Sequence, residues 1–165
     1  MSSSSMPAHT QNIPATLQRV KAYCEAKHYR ATPIRMQILE LVLAYPDVVK
    51  AYEVLADLQK IRGQAAPPTV YRALEFWVEV GVLHRTEALN GYVYCAHFDH
   101  PHASLIFNCY RCHKIEEIEA PQMLSLLSDF CNTRAFTPHH EPLIVNGTCD
   151  SCQQALDSPK SPTSS

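Results

Sequence analysis

The chain has 165 residues, 46% of them hydrophobic, and a formal net charge of −2. This length accommodates one domain with a substantial core or two small domains, and we expect two. No apolar run approaches the roughly 20 residues needed to span a bilayer, and residues 1–5 lack the basic and apolar parts of a secretory signal. We therefore expect a cytoplasmic protein without a membrane partner.

Charge is unevenly distributed along the chain. Residues 1–89 contain ten Lys and Arg against eight Asp and Glu, and residues 90–165 contain four against eight. The two parts thus carry formal charges of +2 and −4. A mildly basic part joined to an acidic one is compatible with a nucleic-acid-binding domain followed by a separate partner domain.

The ends of the chain and the first two helices have clear local signals. Residues 1–14 begin with a Ser-rich polar stretch and residues 157–165 are rich in Ser and Pro, so we expect both ends to be disordered. Apolar residues recur at helical spacing within 15–29, which predicts a first helix. Thr32 followed by Pro33 is typical of an N-cap and the first helical position, so a second helix begins there.

Two further helices and a hairpin follow. Apolar spacing predicts helices within 51–61 and 67–80. Two short apolar runs then flank Asn90-Gly91, a dipeptide typical of a two-residue hairpin turn. Helices followed by a hairpin make a winged helix, so we assign residues 15–90 to a winged-helix DNA-binding domain.

The second half of the chain combines short strands with one helix. The sequence predicts strands at 103–107, 114–118 and 142–145, and a helix from Pro121 to about residue 133. We assign residues 91–156 to a small α/β unit that serves as a metal-binding dimerisation domain. The predicted fold class is therefore α+β.

Four cysteines in two Cys-x-x-Cys pairs supply the ligands for one tetrahedral zinc. The pairs are Cys109 with Cys112 and Cys149 with Cys152. Disulfides are the alternative, but in a reducing compartment paired Cys-x-x-Cys motifs more often bind metal. Because residues 113–148 separate the pairs, the ion would hold together the two ends of a sizeable unit.

Three segments in this order resemble the ferric uptake regulator family of metal-dependent repressors, and most closely its zinc-sensing branch. They are RATPIRMQIL at 30–39, APPTVYRAL at 66–74, and the two Cys-x-x-Cys pairs. The first resembles the family's helix-two signature, the second its recognition helix, and the cysteine pairs its structural zinc site. The likeness extends over about residues 15–153.

The resemblance also implies a second, regulatory zinc, and hence two zinc ions per chain. Its implied ligands are His84, Cys95, His102 and Glu117. A set with two nitrogens, one sulfur and one oxygen suits tetrahedral zinc, whereas iron and manganese prefer nitrogen and oxygen.

Two of these positions have a rival in the sequence. His100 competes with His102, and the seven-residue offset to Cys109 favours His102. Glu116 competes with Glu117, and strand alternation allows only one of them to face the metal.

The recognition helix implies the DNA-binding residues. Arg72 suits bidentate hydrogen bonds to guanine, and Tyr71 beside it suits a thymine methyl group or a phosphate. Tyr52 has two interpretations, a core residue or a DNA contact. The complete candidate set is Thr69, Tyr71, Arg72, Tyr52 and Arg62.

The expected function is that of a zinc-responsive repressor, a homodimer whose zinc-loaded form binds palindromic operator DNA of zinc-uptake genes. Two alternatives remain: an iron, manganese or peroxide sensor of the same family, and a zinc-stabilised interaction module that does not bind DNA. An enzyme is not expected, because the chain has no His-Glu-x-x-His motif and the four candidate ligands leave zinc no open position for water.

Overall fold

The computed structural model describes residues 8–87, 89–100, 102, 104–137 and 142–157. Helices and strands are both present, as the predicted α+β class requires. In chain order the elements are α1 Ala8–Gln11, α2 Ile13–Ala26, α3 Pro33–Leu43, α4 Ala51–Arg62, α5 Pro67–Glu79, β1 Leu83–Thr86, β2 Gly91–Tyr94, β3 Ser104–Cys109, β4 Ile115–Glu119, α6 Pro121–Asn132, β5 Leu143–Gly147 and α7 Asp150–Asp157.

The first part of the chain is a winged helix. Helices α2 to α5 surround one core, and the antiparallel hairpin β1–β2 follows α5 directly. Trp77 of α5 is fully buried, and its Nε1 donates a hydrogen bond to the Arg35 carbonyl over 3.0 Å. The predicted cap of α3 is confirmed, because Thr32 Oγ1 accepts from the Arg35 N–H. These contacts fix α5 against α3.

The hairpin differs from the predicted two-residue turn. Thr86 pairs with Gly91, so a four-residue connection, 87–90, joins the strands, and Gly91 is the first residue of β2. Glycine is needed at this position for another reason: a Cβ atom there would lie 2.7 Å from the carbonyl oxygen of Val49. Val49 and Tyr92 exchange two backbone hydrogen bonds, which draw the chain before α4 onto the wing.

The second part of the chain is built on a three-stranded sheet with the order β4-β3-β5. Strand β3 is antiparallel to β4, with Ile106 opposite Glu117, and parallel to β5, with Phe107 opposite Val145. Helix α6 connects β4 to β5, and α7 follows β5. The C-terminal ends of β3 and β5 therefore lie at the same edge of the sheet.

Three features differ from the sequence-based assignments. Helix α1 and the start of α2 occupy part of the segment expected to be disordered, because Asn12 caps α2 and Pro14 occupies its first turn. Helix α7 was not predicted, since it is only eight residues long and its side chains are largely exposed. Residues 1–7 and 158–165 of the expected disordered ends lie outside the described residues.

The packing of the hairpin also bears on the domain boundary expected at residue 90. Tyr92, Tyr94, Cys95 and Phe98 are buried in the same core as helices α2 to α5. Strand β2 and the loop after it thus pack with the first part of the chain, because a hairpin strand is held by its partner. None of the described helices has the length and apolar character required to cross a bilayer.

Candidate functional site

The two Cys-x-x-Cys pairs meet at one edge of the three-stranded sheet. Cys109 ends β3, and Cys149 follows the parallel strand β5. The four sulfur atoms lie within 4.8 Å of one another, and those of Cys112 and Cys149 are 3.6 Å apart. Sulfurs around tetrahedral zinc, with bonds of about 2.3 Å, are separated by about 3.8 Å. All seven cysteines are free thiols, so the disulfide alternative does not describe this structure.

Hydrogen bonds prepare this cluster to carry negative charge. The Cys149 N–H donates to Cys109 Sγ over 3.4 Å, and this bond, with help from the Cys112 amide, lowers the pKa of Cys109 to about 6. A hydrogen bond to the Cys149 sulfur, together with burial, raises the pKa of Cys152 to about 12. One thiolate is therefore favoured at neutral pH, and a metal would displace the remaining thiol protons.

A second group of ligand-type side chains converges between the wing and the three-stranded sheet. His84 lies in β1, Cys95 follows β2, His102 precedes β3, and Glu117 lies in β4. One ligand atom from each lies within 4.8 Å of the others. We name these four residues the mixed site. Its members come from both halves of the chain.

Direct hydrogen bonds join the mixed site in two pairs. His84 Nε2 donates to Glu117 Oε1 over 3.0 Å, and Cys95 Sγ lies 3.1 Å from His102 Nε2. Ser104, which was not singled out from the sequence, donates its hydroxyl to Glu117 Oε1 over 2.6 Å. These contacts orient the four potential metal-ligand atoms of the mixed site toward a common centre.

The orientation of His102 is set by its other ring nitrogen. His102 Nδ1 lies 2.9 Å from the carbonyl oxygen of His100, which can only accept a hydrogen bond. Nδ1 therefore carries the proton, and the lone pair of Nε2 faces Cys95. A backbone carbonyl that fixes the tautomer in this way is the usual support of a metal-binding histidine.

The two acidic groups of the mixed site differ in protonation. Burial raises the pKa of the Cys95 thiol to about 12, and the nearby Glu117 carboxylate adds to the effect. Burial also opposes ionisation of Glu117, but hydrogen bonds from His84 and Ser104 outweigh it and lower its pKa to about 2. Glu117 is thus an anion at neutral pH, whereas Cys95 keeps its proton unless a cation displaces it.

The structure separates the rival residues. His100 bonds through Nε2 to Glu119 Oε1 over 2.8 Å and does not join the mixed site, whereas His102 does. Glu116 is exposed, but the side chain of Glu117 is only 9% exposed and points into the group. A donor set with two imidazole nitrogens, one sulfur and one carboxylate oxygen fits zinc.

The exposed face of α5 carries three of the candidate DNA-binding residues. Thr69, Tyr71 and Arg72 are exposed in the first turn and a half of the helix, and Tyr71 is 48% exposed. The opposite face is buried in the winged-helix core through Val70, Ala73, Leu74 and Trp77. A helix that is packed through one face and exposes polar side chains near its N-terminal end has the form needed to enter a major groove.

The two candidates on α4 lie at its opposite ends. Tyr52 is 63% exposed and, with Tyr71, lines a cleft between the start of α4 and the wing. The interpretation of Tyr52 as a core residue is therefore wrong. Arg62 lies at the other end of α4, where its Nε donates to Gln37 Oε1 over 2.6 Å. The structure thus brings Tyr52, but not Arg62, into the cleft beside Tyr71.

Arg85 is a cationic residue that the sequence patterns did not identify. It is exposed and lines the same cleft as Lys50, Tyr52 and Tyr71. Successive residues of a strand face opposite sides, so Arg85 faces this cleft while its neighbour His84 faces the mixed site. Strand alternation was the available signal, but the first apolar run of the predicted hairpin covered only Val82-Leu83 and stopped before Arg85.

Comparison with known proteins identifies the family. The ferric uptake regulator family model matches residues 26–146. The chain belongs to this family. It is 34% identical over 144 residues to the zinc uptake regulation protein of Escherichia coli (strain K12), which covers 87% of this chain and 82% of that protein.

Solved structures of the ferric uptake regulator family agree in fold. A zinc uptake regulator complexed with zinc and DNA is similar with a TM-score of 0.81 and 32% identity, covering 92% of this chain and 99% of that one. The crystal structure of holo XcZur is similar with a TM-score of 0.76 and 35% identity, covering 85% and 98%. The arrangement of helices, wing and sheet is thus that of the family.

If zinc binds at the mixed site, the buried thiol of Cys95 predicts that this binding depends on pH. Because the pKa of Cys95 is about 12, its proton must leave before the sulfur can bind zinc. The apparent zinc affinity of the mixed site should therefore rise about tenfold per pH unit between about pH 7 and about pH 8. Calorimetry in buffers of different ionisation enthalpy measures the released proton. A pH-independent affinity contradicts the prediction.

Proposed function

We propose that this member of the ferric uptake regulator family is a zinc-responsive transcriptional repressor. Its zinc-loaded homodimer binds palindromic operators of zinc-uptake genes and releases them when zinc is scarce. The observation that carries the proposal is the mixed site, whose ligand atoms converge from the wing, the following loop and the second sheet. A thiolate among the ligands favours zinc over iron and manganese. The likeness to zinc uptake regulators supports the same metal.

We infer two zinc ions per chain with different roles. The four-cysteine cluster would hold a structural ion, because a closed set of thiolates is bound tightly and is inseparable from folding. The mixed site would hold an exchangeable ion, since its ligands come both from the winged-helix part of the chain and from the second sheet. Reduced thiols and DNA binding are consistent with a cytoplasmic location.

The wing connects the mixed site to the recognition helix. The Val82 N–H donates to the Trp77 carbonyl over 2.9 Å, and the Cys95 N–H donates to the Val82 carbonyl over 3.0 Å. The hairpin that carries His84 is therefore fastened to the end of α5. A bound zinc would join this hairpin to Glu117 of the second sheet and so fix the angle between α5 and that sheet.

A homodimer would present two recognition helices to a palindromic site. Phe107 and Val145 face each other across β3 and β5 and are 41% and 37% exposed, and Met123, Leu126 and Phe130 of α6 are each at least half exposed. Apolar side chains exposed on one part of a molecule are typical of a subunit interface. The angle set at the mixed site would then determine the spacing of the two recognition helices.

We propose that the boundary between the two domains lies near residue 100, because β2 and the loop after it, as far as Phe98, pack in the winged-helix core.

The base-reading role of Arg72 predicts a loss of discrimination in Arg72→Ala. One lost base contact costs about 1–3 kcal/mol, so binding to operator DNA should weaken about 5- to 150-fold while binding to random DNA weakens less. The operator probe is the duplex that the zinc-loaded parent enriches from a random pool. Arg134→Ala is the control for the loss of one positive charge, because Arg134 is exposed and lies in the second half of the chain. Equal loss on both DNAs would make Arg72 a phosphate contact.

Metal-specific DNA binding tests the proposed function. Binding of the enriched duplex is measured at buffered free zinc, manganese and anaerobic ferrous iron. We expect zinc to support binding at the lowest free concentration. Preference for iron or manganese would favour the alternative sensors, and failure to enrich any duplex would favour an interaction module.

We assign no catalytic residue, because four protein ligands leave zinc no position for water.

A further inference from the structure

The loop between Cys95 and His102 is docked against α2 through an aromatic contact. Phe98 is 5% exposed, and its ring meets the Tyr23 ring edge-on with the centroids 5.1 Å apart. The Tyr23 hydroxyl in turn donates to the Val80 carbonyl over 3.2 Å. The loop thus rests on the first long helix of the winged helix.

Arg19 of α2 fastens the same loop through its charged end. Its Nη2 donates to the Ala96 carbonyl and to Asp99 Oδ2, each over 2.8 Å, and its Nε donates to Asp99 Oδ2 over 3.1 Å. The guanidinium carbon also lies 4.6 Å from the centre of the Phe98 ring. A planar guanidinium can make these contacts together, whereas a lysine ammonium cannot reproduce the fork.

The mixed site holds this loop from the other side. The Ala96 N–H donates to Glu117 Oε2 over 3.4 Å, while the Ala96 carbonyl accepts from Arg19. Cys95 directly precedes Ala96, and His102 ends the loop. The segment that supplies two of the four proposed zinc ligands therefore lies between α2 and the second sheet.

We propose that Arg19 is a positioning residue that transmits zinc binding to the DNA-binding domain by fastening α2 to the loop between Cys95 and His102. This inference rests on the proposed function. His84 and Cys95 attach the winged helix to the mixed site through the hairpin and the residue that follows it. Arg19 adds an attachment from a different element, α2, and would therefore restrict rotation of the winged helix about the hairpin.

The exposure of the contact distinguishes transmission from general stabilisation. The side chains of Arg19 and Asp99 are 45% and 39% exposed. Ion pairs this accessible to solvent contribute little to the stability of a fold. The zinc ligands also remain intact when Arg19 is removed. Its loss should therefore change how zinc and DNA binding are coupled, with little effect on either the fold or the zinc affinity of the free protein.

The test compares operator affinity with and without zinc in the mixed site, for the full-length dimer. The probe is the duplex enriched by the zinc-loaded parent. For Arg19→Ala we expect the gain in operator affinity on adding zinc to fall at least about fivefold, the low end of allosteric coupling. Zinc-free DNA binding should match the parent, and zinc affinity without DNA should stay within about twofold. Arg19→Lys should recover only part of the gain.

Two further variants sharpen the test. Lys21→Ala removes a positive charge from the exposed surface of α2 and should keep the parent's gain. Asp99→Asn should lose coupling as Arg19→Ala does, and the double variant should be no worse than the more affected single variant. Asp99→Asn also replaces Arg19→Ala as the test if circular dichroism shows that Arg19→Ala is misfolded.

The outcomes separate this inference from the proposed function. If the parent itself gains no operator affinity with zinc, the proposed function fails. If the parent responds and Arg19→Ala responds equally, the inference is overturned and the function stands. Equal weakening of DNA binding with and without zinc also overturns it, because Arg19 would then be a DNA contact or a general stabiliser.

Discussion

Cys112→Ala is expected to unfold the second half of the molecule or to dissociate the dimer. Removal of one sulfur leaves three ligands for the proposed structural zinc. Structural zinc contributes about 10–16 kcal/mol in small domains, and a whole domain is stable by only about 5–15 kcal/mol. Losing even part of the free energy of zinc binding would therefore exceed the free energy of unfolding of the domain. Purified Cys112→Ala should lack the structural zinc, measured by elemental analysis, and should elute as monomer or aggregate in size-exclusion chromatography.

Cys131→Ala is the matched control for this experiment. Cys131 lies in α6, in the same part of the chain, and is buried, but it does not belong to either group of ligands. Its replacement should leave zinc content and dimerisation unchanged apart from a small loss of packing. If Cys112→Ala were a folded dimer with the zinc content of the parent, the structural role of the cysteine cluster would be wrong.

Cys95→Ala is expected to abolish zinc-dependent operator binding without unfolding the protein. The thiol supplies the only sulfur of the mixed site, so zinc binding there should weaken at least about 100-fold, more than is typical for the loss of a residue that only supports a ligand. The cysteine cluster is untouched and should keep about one zinc per chain. Circular dichroism, elemental analysis and a mobility-shift assay on the same sample measure these three properties.

Cys24→Ala is the corresponding control, because Cys24 is also a buried thiol in the winged-helix core. It should respond to zinc as the parent does. A Cys95→Ala variant that still binds operator DNA in proportion to zinc would show that the mixed site is not the sensor. A variant that loses both zinc ions would instead show that the two sites are not independent.

Local signals in the sequence predicted most elements of the fold. Thr32 and Pro33 start α3 as expected, because capping depends only on neighbouring residues. The connection 87–90 was mispredicted, because the need for Gly91 comes from its approach to Val49, far away in sequence. The start of α2 was missed because a polar composition concealed the Asn12 cap.

The site was predictable in its residue types but not in its geometry. The spacing of the cysteines identified the four-cysteine cluster, and the resemblance to the ferric uptake regulator family implied the four residues of the mixed site. The offset to Cys109 favoured His102 and the resemblance named Glu117, but only the folded chain shows that both side chains converge with His84 and Cys95. The contact between Arg19 and Asp99 joins residues 80 positions apart, so only the folded chain could reveal it.

The central claim is that zinc in the mixed site controls operator binding. It is tested most directly by titrating free zinc while operator binding and zinc content are measured on the same samples of the parent protein. The account predicts that binding develops as the zinc content rises from about one to about two ions per chain. Full operator binding at about one zinc per chain, or no increase as the second ion enters, would contradict it.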